Sequence, residues 1–282
     1  MRFGIALPQY GPAEPDELIR AAQQAEELDF DDVWVGDHLG IPAGLPYPPS
    51  FLLEPLTTLT FVAAATTRVR LGTGVLVLPY RHPLLVAKQT ATLDRLSGER
   101  LILGIGAGFL QGEFQALNVD YARRGELADE YLQALIACWE QQPTVFKGPT
   151  VTLDSIKVKP QPRRHIPVWG GGSGERALRR AIEHGDGWQG AYMSSHGQTH
   201  DNPDGVRPRI ARLRRDRPEA SFTISMRVNW DGLNDDRDLI CRELAAFQEA
   251  GVQHLVASPT QRTLEDWLRS AETLAGIFTG FA

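Results

Sequence analysis

Asp37-His38 is the one adjacent carboxylate–imidazole pair that stands at the end of a strand-like run, Asp32-Val-Trp-Val-Gly36. Histidine titrates near neutrality, so at such a position it can give or take a proton beside a redox centre. The same pair is compatible with a structural histidine held by backbone carbonyls. A second chemical signal is Gly170-Gly-Gly-Ser-Gly174, followed at once by a helical pattern. Glycines let backbone N–H groups converge on an anion, and a helix start adds partial positive charge, which suits a phosphate. No Gly-Lys-Ser/Thr follows, so this is not a Walker loop; a flexible strand-to-helix connection is the plainer alternative. Gly104-Ile-Gly-Ala-Gly108 is a weak match to a dinucleotide fingerprint, because the sequence predicts no helix directly after it. It reads as close backbone approach to a flat ring, or as packing room. His196 and His200 have i,i+4 spacing in a polar loop, where a metal site is not expected. His82, His165, His184 and His254 fall at turns or helix ends and are assigned no role. Trp34 and Trp169 read as core or cavity wall.

Short β-rich runs alternate with helical patterns along the whole chain. Strands are expected at 3–7, 32–36, 70–78, 100–105, 167–170, 187–190, 222–228 and 253–257. Helices are expected around 18–28 and at 55–66, 83–96, 124–141, 174–184, 206–217, 238–250 and 264–278. Gly251 suits the left-handed cap of the seventh helix. Residues 144–159 carry a hairpin signal around Gly148-Pro149 and are expected to leave the alternation. Strands apolar on both faces and separated by helices imply a parallel sheet covered by helices. Eight such units in 282 residues favour a closed (β/α)8 TIM barrel, one domain over 1–282, above an open doubly wound sheet. In such barrels the site is built from the C-terminal ends of the strands. Those ends bring forward Pro8-Gln9-Tyr10, Asp37-His38, Gly74-Val75, 104–108, 170–174, Gln189-Gly190 and 227–230. The loops at 40–50 and 194–205 then lie on the same face, the second over the site.

A net charge of −6 argues against nucleic acid as a partner. The run 207–217 holds six arginines and reads as the solvated face of a helix, with Ile210 and Leu213 turned inward. The two cysteines, Cys138 and Cys241, read as small buried thiols of a reducing compartment, with neither a disulfide nor a Cys/His zinc cluster. No stretch approaches the roughly 20 apolar residues of a membrane span, and the N-terminal apolar run is too short for a signal peptide. A cytoplasmic location follows as an expectation.

Five segments carry a resemblance: Asp-Val-Trp-Val-Gly-Asp-His (32–38), Leu-Gly-Thr-Gly-Val-Leu-Val-Leu-Pro-Tyr-Arg-His-Pro (71–83), Leu-Asp-Arg-Leu-Ser-Gly-Glu-Arg-Leu-Ile-Leu-Gly-Ile-Gly-Ala-Gly (93–108), Pro-Val-Trp-Gly-Gly-Gly-Ser (167–173) and Gly-Asp-Gly-Trp (185–188). Together they resemble the luciferase-like monooxygenase superfamily, and most closely its F420-dependent oxidoreductase branch. The resemblance covers about residues 1–190 well and the remainder loosely. It implies a (β/α)8 barrel, a homodimer, and a deazaflavin, coenzyme F420, in the barrel mouth, with FMN as the alternative cofactor. It further implies a non-proline cis peptide at Gly74-Val75 backing the ring, a deazaflavin contact at Asp37 and a catalytic role for His38. Cofactor contacts fall on Ala107 and Gly108, and the phosphate loop on Gly171, Gly172, Ser173 and Gly174. Sugar-phosphate dehydrogenases of the branch carry a glutamate where this chain has Phe109, which points away from glucose-6-phosphate and toward an apolar or aromatic substrate; Glu113 is close by in sequence. The function implied is hydride transfer between F420 and a small organic molecule. The alternatives are an FMNH2-dependent monooxygenase and a cofactor-binding barrel without chemistry.

Overall fold

The computed structural model describes residues 1–10, 14–45, 51–192, 201–259 and 263–281. In chain order its elements are β1 (Arg2–Ala6), α1 (Pro15–Glu27), β2 (Asp32–Val35), α2 (Pro55–Ala63), β3 (Arg70–Thr73), β4 (Leu76–Val77), a 3-10 turn (Leu78–Tyr80), α3 (Pro83–Leu96), β5 (Leu101–Gly106), α4 (Gln111–Ala116), α5 (Arg124–Glu140), β6 (Thr144–Lys147) and β7 (Thr152–Ile156). There follow β8 (Val168–Gly171), α6 (Glu175–His184), β9 (Gly187–Tyr192), α7 (Pro203–Asp216), β10 (Thr223–Val228), α8 (Arg237–Glu249), β11 (His254–Ala257) and α9 (Leu264–Phe278). The parallel order β3-β2-β1-β11-β10-β9-β8-β5 closes through a β3–β5 pairing, with β4 continuing the third strand against β5. The barrel therefore has eight strands in sequence order, and β6–β7 form the separate antiparallel hairpin.

Local chemistry explains where the elements begin. Pro15, Pro55 and Pro83 sit at first helical positions, where the missing N–H costs nothing. Glu54 caps α2 by accepting the Thr57 N–H at 2.8 Å, and Thr263 caps α9. Gly251 follows α8 at φ +96°, as expected of a left-handed cap. Each helix turns its apolar stripe to the barrel: Leu18, Ala21, Ala22 and Ala25 of α1, or Trp267, Ala271 and Leu274 of α9, are fully enclosed. Burying each larger side chain is worth about 1.5–3 kcal/mol. Arg100 ties α2, β3 and β5 together by donating to Ser97 O, Thr66 Oγ1, Val69 O, Ala63 O and Thr66 O.

Inside the barrel, Trp34 stacks on Trp169 with ring centroids 5.3 Å apart, and with Ile102 and Val256 they form a plug below the mouth. Both tryptophans are thus core. Below that plug lies a polar layer of Asp32, His254 and Ser225, all fully buried.

Several expectations need correcting. The third strand is not continuous over 70–78: it breaks at Gly74–Val75 and ends in the 3-10 turn. No helix starts directly at the 104–108 glycines, but a short one not expected from the sequence, α4, begins at Gln111; its start has no side-chain cap, so nothing local announces it. Cys138 is buried as expected, but Cys241 is only half-buried; both thiols are free. Ile210 and Leu213 face inward, yet the arginines of α7 are not simply solvated. Arg209 donates to Ser173 O, and Arg214 to Phe222 O. Arg217, just beyond α7, donates to Ile182 O and Gly185 O. They close carbonyls that neighbouring elements leave open. Among the described residues, no helix is long and apolar enough to cross a membrane.

Candidate active site

A cavity of about 610 Å³ opens at the C-terminal mouth of the barrel, within the size range of small-molecule sites. Asp37, His38, Gly74, Val75, Ala107, Gly108, Gly171, Gly172 and Gly174, taken from four strand ends and one helix start, all line it. The structure therefore brings together every nominated residue except Ser173. That hydroxyl is spent on Asp201, which Arg209 also holds.

His38 is placed by a residue that local sequence signals leave in the background. Helix α4 buries Glu113 and Phe114. One Glu113 oxygen accepts the Leu39 N–H at 2.6 Å and the Gly40 N–H at 3.2 Å. The other lies 2.8 Å from His38 Nδ1 and accepts the Tyr80 hydroxyl at 2.9 Å. Burial pushes the Glu113 carboxyl up, but His38 and the two amides outweigh it and hold it below the usual glutamate range. Burial and the adjacent Glu113 push the Tyr80 hydroxyl well above the ordinary phenol range. An ionised carboxylate only accepts, so His38 carries its proton on Nδ1, and Nε2 has no hydrogen-bond partner among the described residues. The His38 ring is 15% exposed and meets Phe109 edge-on at 5.7 Å.

Asp37 reaches the cavity with both oxygens engaged. Arg81 donates to them at 2.7 and 2.9 Å, and the Val77 N–H donates at 2.8 Å. Arg81 also bridges to Glu54 at 2.9 Å. Burial pushes the Asp37 carboxyl up, and the fork from Arg81 pulls it back without cancelling the rise. The same pairing raises Arg81, against its burial. Asp37 thus braces the end of β2 against α2 and the 3-10 turn, which fixes the backbone leading into His38.

The Gly74–Val75 peptide is cis. Gly74 N–H donates to Val35 O at 2.8 Å, and Gly74 O accepts from Arg227 Nη1 at 2.6 Å. The Val75 side chain fills space that two glycines leave open. A Cβ on Gly106 would lie 2.5 Å from Val75 Cγ2, and one on Gly171 would collide with Val75 Cγ1. Gly171 is therefore explained by this packing, and the Gly172 N–H is engaged by Gln189 O at 3.4 Å. What remains for an anion is the first turn of α6, where Gly174, Arg176 and Ala177 line the cavity.

Beside that turn stand three arginines absent from the sequence reading. Arg124, Arg176 and Arg180 all line the cavity, and Asp129 pairs with the last two at 3.0 and 2.6 Å. Burial lowers Arg180 from its ordinary value, which Asp129 only partly restores. Three guanidiniums against one carboxylate leave an excess of positive charge suited to a phosphate. The i,i+4 spacing of Arg176 and Arg180, directly after the glycine run, was the signal that could have revealed them. The arginine donor set and the cavity volume fit a phosphate-bearing ring cofactor, which F420 and FMN both are. His196 and His200, and most of the 194–205 loop, lie outside the described residues.

The mouth of this closed parallel barrel thus gathers a histidine, a cis-peptide bulge and a cluster of arginines around one cavity. The chain belongs to the luciferase-like monooxygenase family, whose sequence profile it matches over residues 1–278. It is 31% identical over 224 residues to an uncharacterized protein of Mycobacterium tuberculosis, 75% of each chain. It is also 31% identical over 192 residues to an F420-dependent glucose-6-phosphate dehydrogenase of Amycolatopsis mediterranei, 66% of this chain and 55% of that one. A crystal structure of the monooxygenase RslO1 of Streptomyces bottropensis superimposes over 100% of both chains with a TM-score of 0.84 at 22% identity, a likeness of fold. The family's relatives thus include both F420-dependent oxidoreductases and monooxygenases.

Proposed function

We propose that this protein is an F420-dependent oxidoreductase that moves hydride between the deazaflavin and a small, uncharged organic substrate. The observation behind this reading is His38, which lines the cavity and whose Nδ1 is held by a buried, ionised Glu113. When bound, F420 supplies the carbon that accepts or gives up the hydride. Oxidation of an alcohol breaks a C–H bond with both electrons leaving on the hydrogen, and the hydroxyl proton must go to a base. His38 Nε2 takes that proton, and the carboxylate of Glu113 stabilises the resulting imidazolium. In the reverse direction the same nitrogen returns it. Val75 supports the ring, and Arg124, Arg176 and Arg180 hold the phosphate. Phe109 gives the His38 side an apolar wall, which favours an apolar or aromatic substrate over a sugar phosphate. The F420-dependent relative supports the choice of cofactor.

Titration of the purified protein with F420 and with FMN tests this directly. We expect saturable binding of F420 at low-micromolar concentration or below, and none of FMN. The reverse result replaces this reading with a flavin-dependent monooxygenase. Binding without turnover of any alcohol or ketone leaves a non-catalytic barrel.

A further inference from the structure

Arg227 is the penultimate residue of β10 and lines the same cavity. Its Nε donates to Ser258 Oγ at 2.8 Å and its Nη1 to Gly74 O at 2.6 Å. Both acceptors are neutral. Two anchors on different groups of one guanidinium fix its plane, and three of the five N–H donors of an arginine are then left without an acceptor among the described residues. The other cavity arginines differ. Arg176 and Arg180 share Asp129, and Arg124 stacks on the Tyr121 ring at the phosphate end. Arg227 instead bonds the carbonyl of the Gly74–Val75 peptide, with Gln189 next to it under Gly74. A half-buried cation with no counter-charge among the described residues carries a desolvation cost that an anion entering the cavity would offset.

The phosphate already has its own cluster, so the anion at Arg227 must be another group. Hydride brings two electrons and one proton, so the partner that receives it becomes one unit more negative. We propose that Arg227 is the counter-charge for the reduced form of the cofactor. This rests on the reading above, in which the 74–75 bulge backs the redox ring. In the oxidation direction the substrate C–H bond breaks, the cofactor is reduced, and the hydroxyl proton passes to His38. Arg227 exchanges no proton and answers the added negative charge. Reduced cofactor therefore binds more tightly than oxidised cofactor, and the bound couple is shifted to higher potential.

The test is the affinity of the protein for each cofactor, F420 and FMN, in its oxidised and reduced forms under anaerobic conditions. For whichever binds, wild type should prefer the reduced form by on the order of tenfold, about 30 mV in a two-electron couple. Arg227→Met should bring that ratio to within about twofold of unity, and Arg227→Lys should keep most of it. A ratio unchanged in Arg227→Met overturns the proposal while leaving the functional reading intact. So does a loss confined to the KM of carboxylate-bearing substrates, which would make Arg227 a substrate anchor. If Arg227→Met does not fold, wild type decides alone: equal affinity for the two forms overturns the proposal. Binding of neither cofactor removes the functional reading and this inference with it.

Discussion

His38 and His254 keep similar company at opposite ends of the barrel strands. At the mouth, His38 and Tyr80 both bond the buried Glu113. At the base, His254 bonds Asp32 through Nε2 at 2.8 Å and Ser225 through Nδ1 at 2.8 Å, while Arg70 holds the other Asp32 oxygen at 2.7 Å. Imidazole, carboxylate and hydroxyl are present in both places. At the base both ring nitrogens are spent on protein and His254 is 0% exposed. At the mouth one nitrogen is spent and the ring borders a cavity. The two histidines differ in one nitrogen without a partner among the described residues and in access to it, not in residue type, and the proton transfer proposed for His38 rests on that difference.

That comparison can be broken by exchanging readouts. His38→Ala should lower turnover by about 100- to 10,000-fold, the range of a lost general acid or base, with little change in the urea midpoint. An undiminished rate would place His38 with the struts. Asp32→Ala should do the opposite. It leaves His254 and Arg70 without their carboxylate and should cost about 3–5 kcal/mol in urea unfolding, as a broken buried ion pair does. A midpoint equal to wild type would show that the basal layer is not stabilising.

Smaller effects sharpen it. Glu113→Gln removes the charge that holds His38 and should reduce kcat about 10- to 100-fold, equivalent to a charged hydrogen bond of about 1.5–3 kcal/mol. Its pH–rate profile should shift with it; a profile identical to wild type would detach Glu113 from the proton step. At the base, burial pushes Asp32 up, but His254 and Arg70 bring it down to about 2 from an ordinary 3.8. A carboxylate lowered on folding stabilises the protein above its unfolded value, and this contribution is lost as pH falls through its folded value. Between about pH 4 and pH 2 wild type should lose on the order of 2 kcal/mol more than Asp32→Asn, read by urea unfolding at each pH. The smallest effects belong to the hydroxyls. Tyr80→Phe should slow turnover severalfold, and Ser225→Ala should cost about 1 kcal/mol of stability and no activity. A reversal of those two readouts would erase the distinction between the two ends.

Much of this molecule follows from local pattern. Alternating strand and helix runs, proline at helix starts and glycine after α8 were enough to place the eight strands and to lay out the barrel, because period and capping are properties of neighbouring residues. The residues 37–38, 74–75, 107–108, 171–172 and 174 could be assigned to one mouth for the same reason: parallel strands deliver their ends to one side. What each side chain does there was not local. Glu113 meets His38 across 75 residues, Arg227 meets Gly74 across 153, and His254 meets Asp32 across 222. Such distances in sequence leave no periodic trace. The close approach of Val75 to Gly171 and the fork from Arg81 onto Asp37 are likewise contacts that no local pattern announces. Composition and spacing decided which residues share the mouth; only closure of the barrel decided which of their atoms remain unbonded, and chemistry belongs to those atoms.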